Sequence, residues 1–341
     1  SLGNGINPLD VIAQYGADAL RFTLITGNAP GNDMRYTEKR VIASRNFANK
    51  IWNASRFIMM NLEQADFSDV TLEDLTSADK WILSKLNTLA KDVTDNMEKY
   101  ELGIAVQKLN DFLWEEFCDW YIEMVKPRLY NDEDQTKAAA LWTLNTVLTE
   151  ALKLLHPYMP FITEEIFCTL QEEEETIMLS EWPTFKEEWN FKAEEEAVAH
   201  VKDLVKGIRN TRAEMDVPPS RKAKVFIVTE DKELEEIFAS MKTAYAALIS
   251  ASEIQVQDTK DGIGEDAVSV VIPGAVVYIP LEDLVDFEKE KERLKKEQER
   301  LKKELARSKG MLSNEKFLSK APEAKVLEEK EKLAKYEQMM Q

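Results

Sequence analysis

Lys39, Asn46, Lys50, Asn53 and Phe57 fall on one narrow stripe when residues 37–62 are wound as an α-helix, the last four alternating at spacings of four and three. Ammonium groups hold phosphate, carboxamides read base edges, and an outward ring stacks on an unpaired base. These residue types in this row therefore suit a single-stranded stretch of nucleic acid. The alternative is that Phe57 packs under a neighbouring helix. On the opposite side Val41, Ala48, Ile51, Trp52, Ile58, Met59 and Leu62 make a broad apolar arc, expected to be an ordinary core face.

The charge of the chain argues against a polyanionic partner only until its distribution is followed. The 341 residues carry a formal net charge of -19, yet residues 1–60 hold seven Lys or Arg against four Asp or Glu. A second basic island, residues 288–320, holds twelve against seven. Two basic islands on an acidic chain suit two contacts with one long anion. Solvated helix faces are the alternative reading of the second island.

The elements that must position the stripe are mostly helical. Asn7-Pro8-Leu9-Asp10 opens a short helix to Tyr15, and Gly16-Ala17-Asp18 restarts a second to Thr26, followed by a turn at Gly27 to Asn32. The stripe helix runs from about Thr37 to Leu62. Three further amphipathic patterns follow at about Ser77 to Lys99, Leu102 to Val125 and Lys137 to Leu155, and together they predict a bundle. Trp81, Trp114, Phe117, Trp120, Tyr121 and Trp142 are expected in its core. His156 stands at a helix end between prolines and apolar residues, where capping is expected rather than catalysis. Phe161 to Leu170 is another helix.

Acidic runs around an irregular segment mark a domain boundary near residue 193. Beyond it a helix from Ala197, a strand at Lys224 to Thr229, a helix at Lys232 to Ser250 and strands at Glu253 to Gln257, Ala267 to Ile272 and Ala275 to Ile279 predict a small α+β module. Pro273-Gly274 is its hairpin turn. From Leu281 a heptad seam passes through Phe287, Lys291, Leu294, Gln298, Leu301, Leu305, Ser308 and Leu312. A break at Ser313 to Pro322 precedes Val326, Leu333 and Met340. That break favours an antiparallel intramolecular hairpin over a coiled-coil dimer. The expected fold class is mainly α: a connector (1–36), a helical bundle (37–193), a small α+β domain (194–280) and a coiled-coil arm (281–341).

Much chemistry is excluded. No apolar run approaches the ~20 residues of a membrane span. The two cysteines and two histidines are dispersed, which excludes a zinc cluster and favours a reducing, cytoplasmic setting. Phosphate-binding glycine loops and metalloprotease spacings are missing. A start at Ser-Leu-Gly-Asn without Met suggests a piece of a longer chain.

Several segments resemble class I aminoacyl-tRNA synthetases. Ser1-Leu2-Gly3-Asn4 with Tyr15-Gly16-Ala17-Asp18-Ala19-Leu20-Arg21 looks like the sequence that follows the Lys-Met-Ser-Lys-Ser signature, Ser1 being its last serine. Arg45 to Asn53, Phe117-Cys118-Asp119-Trp120-Tyr121 and Leu155 to Phe161 resemble the anticodon-binding bundle of the valine, isoleucine and leucine enzymes. The α+β module followed by a coiled-coil hairpin is similar to the valyl-tRNA synthetase family. That resemblance implies a parent enzyme that uses ATP and magnesium to join valine to its tRNA, with catalytic and editing domains preceding Ser1. It implies no cofactor in this chain, no activity of it alone, and a monomer bound to valine tRNA. Anticodon contacts are implied at Lys39, Lys50 and Phe57, with Asn46 and Asn53 adding hydrogen bonds. Outer-corner contacts are implied at Arg293, Lys296, Arg300, Lys303 and Arg307. A freestanding RNA-binding protein and a coiled-coil adaptor are the alternatives.

Overall fold

In the computed structural model residues 5–27, 31, 36–63, 66–171, 175–285, 287–313 and 323–339 are described. The Asn7 carboxamide accepts from Leu9 N at 3.1 Å and starts α1 (Pro8–Tyr15). Gly16, at φ +90°, turns the chain into α2 (Ala17–Ile25). The stripe helix is α3 (Glu38–Leu62).

The buried face of α3 differs from the expected arc. Val41, Ser44, Phe47, Ile51, Ser55 and Ile58 are buried, while Trp52 is 39% exposed and leaves the core. The buried face passes through two serines because their hydroxyls find partners inside the protein. Ser44 Oγ lies 2.7 Å from Thr23 Oγ1, and Ser55 Oγ donates to Ile51 O at 2.8 Å. Phe47, not Trp52, is the aromatic that α3 buries fully, its ring 4.9 Å from that of Phe22.

A bundle forms around α3. Thr76 and Asp79 close a reciprocal capping box at the start of α4 (Ser77–Glu98). The single helix expected from Leu102 is a rod of three windings: α5 (Leu102–Asp111), a π-helical stretch (Phe112–Tyr121) and α6 (Ile122–Leu129). Hydrogen bonds to the fifth residue widen the turn, so Phe112, Leu113, Phe117 and Tyr121 all reach the core. Of the aromatics expected inside, Trp81, Phe117 and Tyr121 are buried; Trp114, Trp120 and Trp142 are half-buried against the core. α7 (Lys137–Leu155) and α8 (Pro160–Leu170) complete the bundle.

One network holds the bundle's far end. Arg128 and Asp79 pair through both arms at 2.8 and 2.9 Å, and Tyr121 Oη donates to Asp79 Oδ1 at 2.6 Å. At the near end the Asp18 carboxylate accepts from Phe161 N and Ile162 N at 3.2 and 2.7 Å, capping α8. Arg21 donates to the carbonyls of Tyr158 and Pro157. The Gly-Ala-Asp-Ala-Leu-Arg and His-Pro-Tyr-Met-Pro-Phe segments are therefore two halves of one joint. His156 follows α7 as its cap residue, with Nδ1 2.7 Å from Thr163 Oγ1.

α9 (Lys192–Glu214) begins inside the acidic run, with Glu194 and Glu195 in its first turn. It runs from the bundle, where it packs on α4, to the sheet. A Cβ at Gly207 would lie 3.1 Å from both Val270 and Ile272, so this glycine permits the close approach. One buried cluster extends from Phe22 to Leu284. The strands are β1 (Ala223–Val228), β2 (Ala251–Gln257), β3 (Val268–Ile272) and β4 (Ala275–Ile279), in the order β2-β1-β4-β3. β1 pairs with β2 in parallel and with β4 antiparallel, and β3 and β4 form the hairpin. The helix expected at 232–250 is instead α10 (Lys232–Ser240) and α11 (Lys242–Tyr245), with a turn before β2. There Tyr245 folds back and its hydroxyl donates to Phe238 O at 2.7 Å.

The chain ends in α12 (Leu281–Leu284), α13 (Phe287–Leu312) and α14 (Glu323–Met339), and the last two pack on each other. Leu301 and Ser308 are buried on the expected seam, Leu305, Leu312, Val326 and Leu333 half-buried, and Gln298 exposed. Residues 314–322 lie outside the described ones.

Candidate nucleic-acid interface

α3 crosses the bundle beside the π-helical stretch, and the stripe divides along that seam. Lys39, Asn46 and Asn53 are exposed, and among the described residues Asn46 and Asn53 make no side-chain hydrogen bond. Lys50 and Phe57 sit on the flank nearest the neighbouring rod and are half-buried. The Lys50 ammonium is ion-paired to Asp119 and lies 4.2 Å from the Trp114 ring centroid. Phe57 packs partly against the core, with Lys126 Nζ 5.7 Å from its ring centroid. Lys126 in turn donates to Glu123 Oε1 at 2.5 Å. The two cation–ring contacts, Lys50 on Trp114 and Lys126 on Phe57, line one groove between α3 and the rod.

The electrostatics of the groove follow from its depth. Burial pushes the Cys118 thiol up to about 12, against the pull of Lys50 and with the push of Asp119. Cys118 is thus an inert thiol, and the polar chemistry belongs to Lys50 and Asp119. Their pair is partly open to solvent, with side chains 24% and 51% exposed, so screening keeps it weak.

Above Asn46 the groove opens into a cleft of about 550 Å³ between α2, α3 and the rod, lined by Arg40, Phe47, Asn110, Trp114 and Glu115 among others. Helical spacing on α3 does not show this cleft, because six of its eleven lining residues come from α2 with its cap Thr26 and from the rod. Lys126 and Asp119 were missed for the same reason. The motif Phe-Cys-Asp-Trp-Tyr was the one sequence signal near them.

On the arm, Lys296, Arg300, Lys303 and Arg307 are all exposed on α13. Arg307 is within 3.9 Å of Glu304. Arg293 falls in the same helix, its side chain outside the described ones; Ser1 also lies outside the described residues. Among the described residues no group of three or more His, Cys, Asp or Glu is placed to hold a metal ion.

Residues 79–227 match the family model of the anticodon-binding domain of tRNA ligase, and residues 286–341 match that of the valyl tRNA synthetase tRNA binding arm. The first match begins after α3, so the stripe lies outside it. Over its whole length the chain is 58% identical to a valine–tRNA ligase of Clostridium tetani and 53% identical to one of Clostridium perfringens, spanning 39% of each. Among solved structures, the LeuRS–tRNA–LeuAMS complex of Agrobacterium radiobacter K84 is a distant likeness. It covers 55% of this chain and 22% of that one at 20% identity and a TM-score of 0.45.

Proposed function

We infer that this chain, which belongs to the valyl-tRNA synthetase family through its anticodon-binding domain and tRNA binding arm, grips valine tRNA at two places. The anticodon loop meets the stripe on α3, and the outer corner meets α13. The observation that carries the first contact is the open face of Lys39, Asn46 and Asn53 beside the shielded pair Lys50 and Phe57. Lys39 meets phosphate directly. Lys50 is held extended by Trp114 and Asp119 and exchanges its exposed carboxylate partner for a phosphate or base edge. Asn46 and Asn53 offer both a donor and an acceptor. Phe57 supplies a stacking surface at the edge of the core, and Lys126 adds a cation to the same stack.

On α13, Lys296, Arg300, Lys303 and Arg307, with Arg293, neutralise backbone phosphates and position the tRNA without reading sequence. Joining of valine to tRNA, with its ATP and magnesium, belongs to the length of the relatives that this chain does not span. No step of that chemistry runs through residues described here. The chain by itself catalyses no valine-dependent pyrophosphate exchange, and it works as a cytoplasmic monomer joined to those catalytic and editing domains.

Filter binding of the chain to valine tRNA and to the same tRNA with a swapped anticodon tests the reading. Base–aromatic stacking contributes ~1–3 kcal/mol, so Phe57→Ala weakens binding about tenfold. Unchanged affinity in a folded Phe57→Ala protein, or equal affinity for the two tRNAs, refutes anticodon recognition by this stripe.

A further inference from the structure

We propose that the cleft beside Asn46 is a pocket for one unpaired nucleobase bearing an exocyclic amine, and that Asn110 and Glu115, on the rod rather than on α3, set its base preference. This rests on the tRNA-binding reading and adds to it a second recognition surface facing the stripe.

The cleft holds about 550 Å³, ample for a base and part of its ribose. Its floor is apolar. Phe47 is buried and stands 6.4 Å from Trp114 in a near-parallel arrangement, and Lys50 lies over the same indole. Its rim is polar and unused. Asn46, Asn110 and Glu115 make no side-chain hydrogen bond among the described residues, whereas Arg40 is already bonded to the Thr26 carbonyl. An apolar floor under a few free polar groups is how small-ligand sites are built.

The charges select the ligand. Glu115 on the rim repels phosphate and accepts from an amine, so the base enters and the backbone stays outside with Lys39 and Lys50. An ionised carboxylate is acceptor-only, so it favours an amino-bearing edge over a carbonyl-only edge. The Asn46 and Asn110 carboxamide N–H groups donate to the acceptor ring nitrogen or carbonyl beside that amine, and their oxygens accept from it.

The test uses the full chain and anticodon stem-loop RNAs of valine tRNA carrying 2-aminopurine at one loop position at a time. One position changes fluorescence on binding in the parent chain and in Phe57→Ala at saturating protein. Ala43 is exposed on the cleft wall, and Ala43→Phe plugs the cleft. It abolishes that signal and weakens binding about tenfold. Glu115→Gln reduces the preference for an amino-bearing base at the same position, and Asn110→Ala weakens binding to that base alone. Circular dichroism confirms that each variant is folded. If Ala43→Phe, Asn110→Ala and Glu115→Gln bind with parental affinity and base preference while Phe57→Ala binds weakly, the pocket is wrong and the tRNA reading stands. If the parent chain itself binds no stem-loop, both fall.

Discussion

Removing Asp79 should unfold the anticodon bundle more readily than any surface change on it. The carboxylate accepts five hydrogen bonds: from Thr76 N and Oγ1, Tyr121 Oη, and Arg128 Nη1 and Nη2. Arg128 is 5% exposed, and its remaining donors go to Thr136 Oγ1, Thr136 O and Thr76 Oγ1. Asp79→Ala therefore strands a buried guanidinium and opens the cap of α4 in one step. Breaking one side of such a pair costs about 3–5 kcal/mol. Replacing both partners by apolar residues removes the stranded charge, so Asp79→Leu with Arg128→Met should cost much less than the two single changes added together. The assay is urea unfolding followed by the far-ultraviolet circular dichroism of the helices. A loss below about 1 kcal/mol for Asp79→Ala, or simple additivity in the double variant, would refute the argument that the network holds the bundle.

Gly274 sits at φ +77° with the Leu234 side chain in the way of a Cβ, so Gly274→Ala should destabilise the chain by about 1–3 kcal/mol in the same unfolding assay. Burial lowers the pKa of His156, opposed by Glu164 and Asp18 and aided by Arg21. Its contribution to stability is thus full above the unfolded value of about 6.5 and is lost as pH falls from there through the lower folded value. The urea midpoint should drop between pH 7.5 and 5.5 by more in the parent than in His156→Gln. Alkylation with iodoacetamide at pH 8 should modify exposed Cys168 well before Cys118, as read by peptide mass spectrometry. Raising salt from 50 to 200 mM should weaken tRNA binding steeply, and Lys39→Met should flatten that dependence by roughly one phosphate contact.

The parts of the fold legible in the sequence were those fixed by neighbours a few residues away. α7 has the bounds its apolar spacing predicts, and β4 and the Pro273-Gly274 turn fall where expected. The π-helical stretch was not legible. Spacings of three and four describe an α-helix, and Phe112 to Tyr121 satisfy them well enough until Tyr121 must reach Asp79 across the bundle. That contact spans 42 residues, and no local pattern contains it. The core face of α3 failed similarly: Ser44 and Ser55 look like surface residues until their partners, Thr23 on α2 and the Ile51 carbonyl, are known, so the wheel put Trp52 inside.

The candidate site follows the same logic one level up. A helical wheel shows which residues share a face, whereas the packing of the next element decides how much of that face stays open. The stripe on α3 has its basic and amide character as read, but the rod of residues 102–129 covers the Lys50 and Phe57 edge and leaves Asn46 and Asn53 in the open. Shielding does not disqualify Phe57. A ring held against the core costs little further entropy when a base stacks on its free edge, and a lysine held between Trp114 and Asp119 is already extended. The covering rod brings Trp114, Asp119 and Lys126 against α3, so the proposed interface has two walls. On the proposed reading, recognition depends on how the rod sits against α3 as well as on the stripe, and the Asp79–Arg128 network holds the far end of the rod to α4.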